Sequence, residues 1–168
     1  MIEAFVTLSQ IPNTQIAMTT HSPDIVKMLD FEHLNLISDA GESREITQVE
    51  ENKLPYPSLN EVNFYAFDEV NDEYHNELYG FIDYNEWLDE YQTSQQETIR
   101  AYKRLNRSNV EIELSIILSE YIRHQIHHPE NRLNQRYSAD DLKQSIQEMR
   151  SFIEQKAISA GTINQRAA

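Results

Sequence analysis

Residues 52–60 read NKLPYPSLN, and this stretch constrains the chain more than any other. Two prolines fall two positions apart, and no apolar periodicity runs through them, which predicts a linker. The patterns on its two sides differ, so the chain is expected to fold as two parts.

Before the linker, helix and strand signals alternate. Ile2, Phe5 and Leu8 recur every three residues and Val6 widens the same apolar face, which predicts a helix over 2–9. Pro12 and Asn13 make a turn, and 15–20 reads as a short buried strand. Ser22 suits an N-cap, Pro23 the first helical position and Asp24 the first turn, so a helix is expected over 23–29. "HLNLIS" (33–38) is a second strand, 39–42 a turn, and "EITQVE" (45–50) a third strand. That order is the order of an α/β unit.

After the linker every segment reads as helical. The expected helices run over 60–68, 72–91, 94–106, 110–127 and 138–156. The last has a defined start, with Ser138 as N-cap and Asp141 three residues on, a relative of the capping box. Four parts result: an α/β region at 1–51, the linker at 52–60, a mainly α-helical bundle at 61–156, and a flexible tail at 157–168.

Charge narrows the function. The net charge is −14, and residues 39–98 carry all of it, with sixteen acids against two bases. Residues 99–136 reverse the sign: seven bases (Arg100, Lys103, Arg104, Arg107, Arg123, Arg132 and Arg136) face four acids. The global acidity argues against a general nucleic-acid binder, while the local excess leaves room for a confined anionic partner. There is no cysteine, no basic n-region ahead of the early Glu3, and no apolar run long enough for a membrane helix. A cytoplasmic protein without membrane attachment is the expectation.

Two short motifs carry chemistry. The first is "QIAMTTHSPDIVKMLD" (15–30), an apolar run, then TTHSP, then an amphipathic segment. A strand tip that meets a helix N-terminus holds phosphate well, because free N–H groups point outward there. The segment resembles the switch-histidine region of ABC-type ATPases, in the branch with the overcoming-lysogenization-defect nucleases, RecF-like proteins and phage-defence ATPases. The preceding helix and the spacing match as well, over about residues 1–40. The resemblance implies that His21 contacts the γ-phosphate or the attacking water, with ATP and Mg as cofactors of a longer parent. A Walker A sequence, a Walker B strand and a signature loop are missing, and none of the glycines (Gly41, Gly80, Gly161) begins a P-loop. The chain is therefore expected to be the C-terminal part of such an ATPase, lacking its N-terminal half and needing no cofactor alone. Met1 then stands as an internal methionine or a misplaced start.

The second motif is "YIRHQIHHPEN" (121–131). Val110, Leu114, Ile117, Leu118, Tyr121 and Ile122 share one face of the expected helix. Pro129 sets His128 at the helix end. An arginine can grip a phosphate bidentately, and a histidine can move protons to and from ribose and leaving oxygens. Arg123-x4-His128 resembles the R-x4–6-H motif of the HEPN superfamily, over about residues 95–156. That resemblance implies a metal-independent ribonuclease, with Arg123 and His128 catalytic, His127 as the fallback one turn from Arg123, and a homodimer. Anticodon nucleases of phage defence join an ABC-type ATPase to a HEPN nuclease in this order. A competing reading is a non-catalytic module that docks a partner effector, with Arg123 paired to an acid such as Glu120, Glu130 or Asp140. Another is a DNA-repair ATPase of the RecF kind, whose helices serve dimerisation. Metal sites are poorly supplied: His75 with Glu73 or Glu77 lacks a second histidine, and His124, His127 and His128 lack a further ligand.

Overall fold

The computed structural model describes residues 2–26, 28–29, 33–41, 43–49, 54 and 58–159. The chain is a mixed α and β protein and divides after Glu69 into two compact units, residues 1–69 and 70–168.

The first unit holds α1 (Ile2–Ser9), α2 (Pro23–Val26), β1 (Asn35–Ala40), β2 (Ser43–Gln48) and α3 (Leu59–Phe67). α1 forms where its periodicity predicts, with Phe5, Val6 and Leu8 exposed among the described residues. The strand expected at 15–20 is absent. Its residues have no regular structure, and Ile16 and Met18 are exposed. A strand needs a neighbour to take its backbone hydrogen bonds, and β1 and β2, the strands described in this unit, pair with each other. α2 is shorter than expected: beyond Val26, Met28 and Leu29 keep only single-turn bonds to Ile25 and Val26. β1 and β2 form an antiparallel hairpin with Ile37 opposite Ile46, turning at Gly41, whose φ of +76° suits a residue without Cβ. Val26, Val49, Val62 and Tyr65 pack into a small core flanked by Leu34 and Leu36. Of the expected linker, Leu54 is buried and Ser58 caps α3, its side chain accepting from the Glu61 N–H at 3.0 Å; residues 52, 53 and 55–57 lie outside the described residues.

The second unit holds α4 (Asp72–Tyr84), α5 (Leu88–Ser94), β3 (Ile99–Leu105), β4 (Glu111–Ile117), α6 (Leu118–His127) and α7 (Ala139–Ser159). Asn71 caps α4 through the Tyr74 N–H at 2.7 Å. The single helix expected over 72–91 breaks at Asn85–Trp87, where Glu86 takes a left-handed φ of 60°. Tyr74, Leu78 and Ile82 of α4 meet Tyr91 of α5, Ile122 of α6, and Ile146, Met149 and Ile153 of α7 in a close-packed core. Ser138 and Asp141 form the expected reciprocal cap of α7, at 2.9 and 3.1 Å. Of the expected tail, 157–159 belong to α7 and 160–168 lie outside the described residues.

The main correction concerns 94–117. Residues 99–105 of the helix expected over 94–106 and the first half of the one over 110–127 are instead an antiparallel hairpin, β3 and β4, while Ser94 ends α5 and Gln96–Thr98 form a 3-10 turn. In EIELSII, polar and apolar residues alternate from Glu111 to Ile116, the period of a strand with one covered face, and burial alternates with them. Val110 and Leu114 fit both periods, which disguised the strand. Val110 is 56% exposed and belongs to the turn, where Asn109 has a φ of 57°.

Candidate functional site

α6 follows β4 without a break, and it carries two chemically different strips. An α-helix turns about 100° per residue, so Arg123 and His127 share one strip, and Glu120 and His124 share another. Pro129 ends the helix as expected, and His128 is its C-cap, with its N–H on the His124 carbonyl at 2.9 Å. The His128 ring therefore lies beside His124, with centroids 6.3 Å apart. Arg123 points elsewhere: its guanidinium carbon sits 4.4 Å from the centre of the Tyr79 ring on α4.

The His124 strip faces β3 across a cleft of about 420 Å3. β3 supplies Tyr102, Arg104 and Leu105, α6 and its cap supply His124 and His128, and the following loop supplies Glu130, Asn131, Arg132 and Leu133. Tyr102 is buried and forms the floor. The His124 ring stacks on it at 4.8 Å, and Tyr121 meets it edge-on at 6.0 Å. Arg104 and Arg132 are exposed and form no ion pair among the described residues.

The loop is held on both sides. Asn131 Nδ2 donates to the Tyr102 hydroxyl (3.0 Å) and the Lys103 carbonyl (2.9 Å). Asn134 takes the Lys103 N–H at 2.7 Å and returns a bond to its carbonyl at 2.8 Å. On the α6 side, the Tyr121 hydroxyl and Gln125 Nε2 both donate to the Gln135 carbonyl, at 2.6 and 2.9 Å. The cleft is thus built on pinned backbone.

Each imidazole has an acid beside it: Glu120 lies 3.5 Å from His124, and Glu130 lies 3.2 Å from His128. Burial lowers the His124 pKa against the pull of Glu120, and neighbouring His128 and Arg104 add to the lowering. Glu130 is held below the usual carboxylate range by its own backbone N–H and by His128.

The opposite strip leads into the core. His75 of α4 is fully buried, with Nε2 3.0 Å from the Ser145 hydroxyl of α7. Burial first, then Arg123 and His127, lower its pKa to about 3, so it is neutral at ordinary pH. His127 itself is exposed.

The structure thus brings His128 together with His124, Arg104 and Arg132, and sets Arg123 and His127 toward α4. His21 is exposed, in the irregular segment ahead of α2, where the Ser22 N–H bonds to Thr20 Oγ1 at 3.0 Å. Among the described residues no group of three or more His, Cys, Asp or Glu is placed to hold a metal ion, and no helix is long and apolar enough to cross a membrane. Sequence reasoning missed Tyr102, Arg104, Asn131 and Arg132 as site residues. The available signal was the basic stretch 99–136, which needed the hairpin to become a surface.

No protein-family model matches the chain, and no curated protein and no solved structure matches it at a significant level.

Proposed function

We propose that the second unit binds single-stranded RNA in the cleft between β3 and the end of α6. The observation that carries this reading is the gathering of two arginines, without an ion pair among the described residues, and two imidazoles over an aromatic floor. Arginines neutralise and orient phosphates, and the half-buried His124 and exposed His128 rings can stack on bases that a single strand leaves free, with buried Tyr102 supporting His124. The overall charge of −14 then acts as a filter, disfavouring nucleic acid outside the basic cleft.

In this reading RNA is cleaved without metal, with His128 transferring the proton and Arg104 and Arg132 holding the phosphate in the part the R-x4-H motif gives to Arg123. The TTHSP segment supports the wider setting: residues 1–51 end an ABC-type, defence-like ATPase domain, with His21 sensing the ATP of the longer parent. The second unit is its effector or docking half.

Fluorescence anisotropy with a labelled single-stranded RNA tests the binding. Arg104→Ala with Arg132→Ala should weaken it at least about tenfold and make its salt dependence shallower by about one to two in log–log slope. RNA that binds neither form sinks the reading. RNA that binds but stays intact in EDTA, equally with wild type and His128→Ala, leaves a docking module without nuclease chemistry.

A further inference from the structure

The β3–β4 hairpin has two outer edges, and they differ. On the β3 edge, Asn134 bonds both the N–H and the carbonyl of Lys103, at 2.7 and 2.8 Å. A side-chain amide occupies the place of a neighbouring strand, so that edge is closed.

The same bonds fix the phase of the ladder. Lys103 turns its backbone groups away from β4, so its pair with Glu113 is a non-hydrogen-bonded one, and alternate pairs follow suit. The Asn106 N–H to Val110 carbonyl bond at 2.9 Å falls in the hydrogen-bonded phase, as this requires. Glu111, Glu113 and Ser115 therefore turn their N–H and C=O outward from β4. These groups meet no other partner among the described residues.

We propose that the open β4 edge pairs with β4 of a second copy, antiparallel about a two-fold axis at Leu114, to give a continuous four-stranded sheet. The sequence EIELSII is self-complementary in that register. Glu113 faces Ser115 of the second copy, Ile112 faces Ile116, and Leu114 faces itself. A shift by two toward the hairpin tip would set Glu113 against Glu113, and like charges directly opposite are unfavourable. A shift by two toward α6 loses pairs, because the strand ends at Ile117. The cleft lies on the β3 side, so this pairing leaves it open in both copies and does not depend on the RNA reading.

The test uses the full chain. Sedimentation velocity from micromolar to millimolar concentration should show a monomer–dimer equilibrium. Ser115→Pro removes an outward N–H and spares the hairpin ladder, and Ser115→Glu sets acid against acid. Both should weaken the dimer about tenfold or more, while Ser115→Lys, facing Glu113, should tighten it. The chain has no cysteine, so Leu114→Cys gives a clean cross-link: it should oxidise to a disulfide dimer, and Val110→Cys should not. Circular dichroism confirms folding of each variant. A wild type that stays monomeric overturns the proposal. So does a dimer that keeps its affinity in Ser115→Pro and Ser115→Glu and does not cross-link at position 114.

Discussion

Acid should unfold the second unit through His75. The side chain is fully buried between α4 and α7, and its pKa is lowered from 6.5 to about 3, first by burial, then by Arg123 and His127. The unfolded chain exposes this imidazole and takes up a proton near pH 6.5; the folded chain resists until about pH 3. Its contribution is present above pH 6.5 and is lost as pH falls from there toward 3. The whole difference corresponds to about 5 kcal/mol, of which about 2 kcal/mol is lost between pH 7 and pH 5. Glu148 of α7, its pKa raised by burial, opposes this in acid, and Asp141, lowered by its bonds to Ser138, reinforces it. A His75→Gln variant shares both carboxylates, so they cancel in the comparison. Urea unfolding at pH 7 and pH 5, followed by Trp87 fluorescence, gives the two differences. Wild type should lose about 2 kcal/mol more than the variant over that interval. Equal losses would mean that His75 titrates normally in the fold, and the buried neutral imidazole would be wrong.

Removing Asn134 should open the β3 edge: Asn134→Ala leaves the Lys103 N–H without its acceptor, while the Lys103 carbonyl keeps Asn131, and should cost about 1–3 kcal/mol in urea unfolding. Ser138→Ala removes the cap of α7 and should cost about 1 kcal/mol, read the same way. Met149→Ala, at a position with no solvent exposure, should cost about 2–5 kcal/mol and lower the thermal midpoint.

The start of α7 and the end of α6 were legible in the sequence because their signals are local. Ser138 with Asp141, and Pro129 after α6, each act within a turn of their own position, whereas the Ser58 cap of α3 was read as linker. The hairpin was not legible as read, because Val110 and Leu114 satisfy a helical period as well as a strand period. Its decisive partners, Asn131 and Asn134, lie about thirty residues away from Lys103. The strand expected at 15–20 shows the same limit from the other side, since an apolar run becomes a strand only when a second strand lies beside it. Pro129 located His128 at the helix end, and the R-x4-H spacing singled it out beside Arg123. It did not reveal that the five-residue interval turns Arg123 toward Tyr79. The cleft's own arginines come from β3 and from the loop after α6, so no motif within one element spells them out.

The six histidines make ring-proton NMR the most direct test of the RNA site. On titration with single-stranded RNA, the His124 and His128 ring signals should shift together, while those of His21 and buried His75 stay in place. Shifts confined to His127 and His75 would put the RNA on the Arg123 strip instead, and no shift at any histidine would remove the cleft as its binding site.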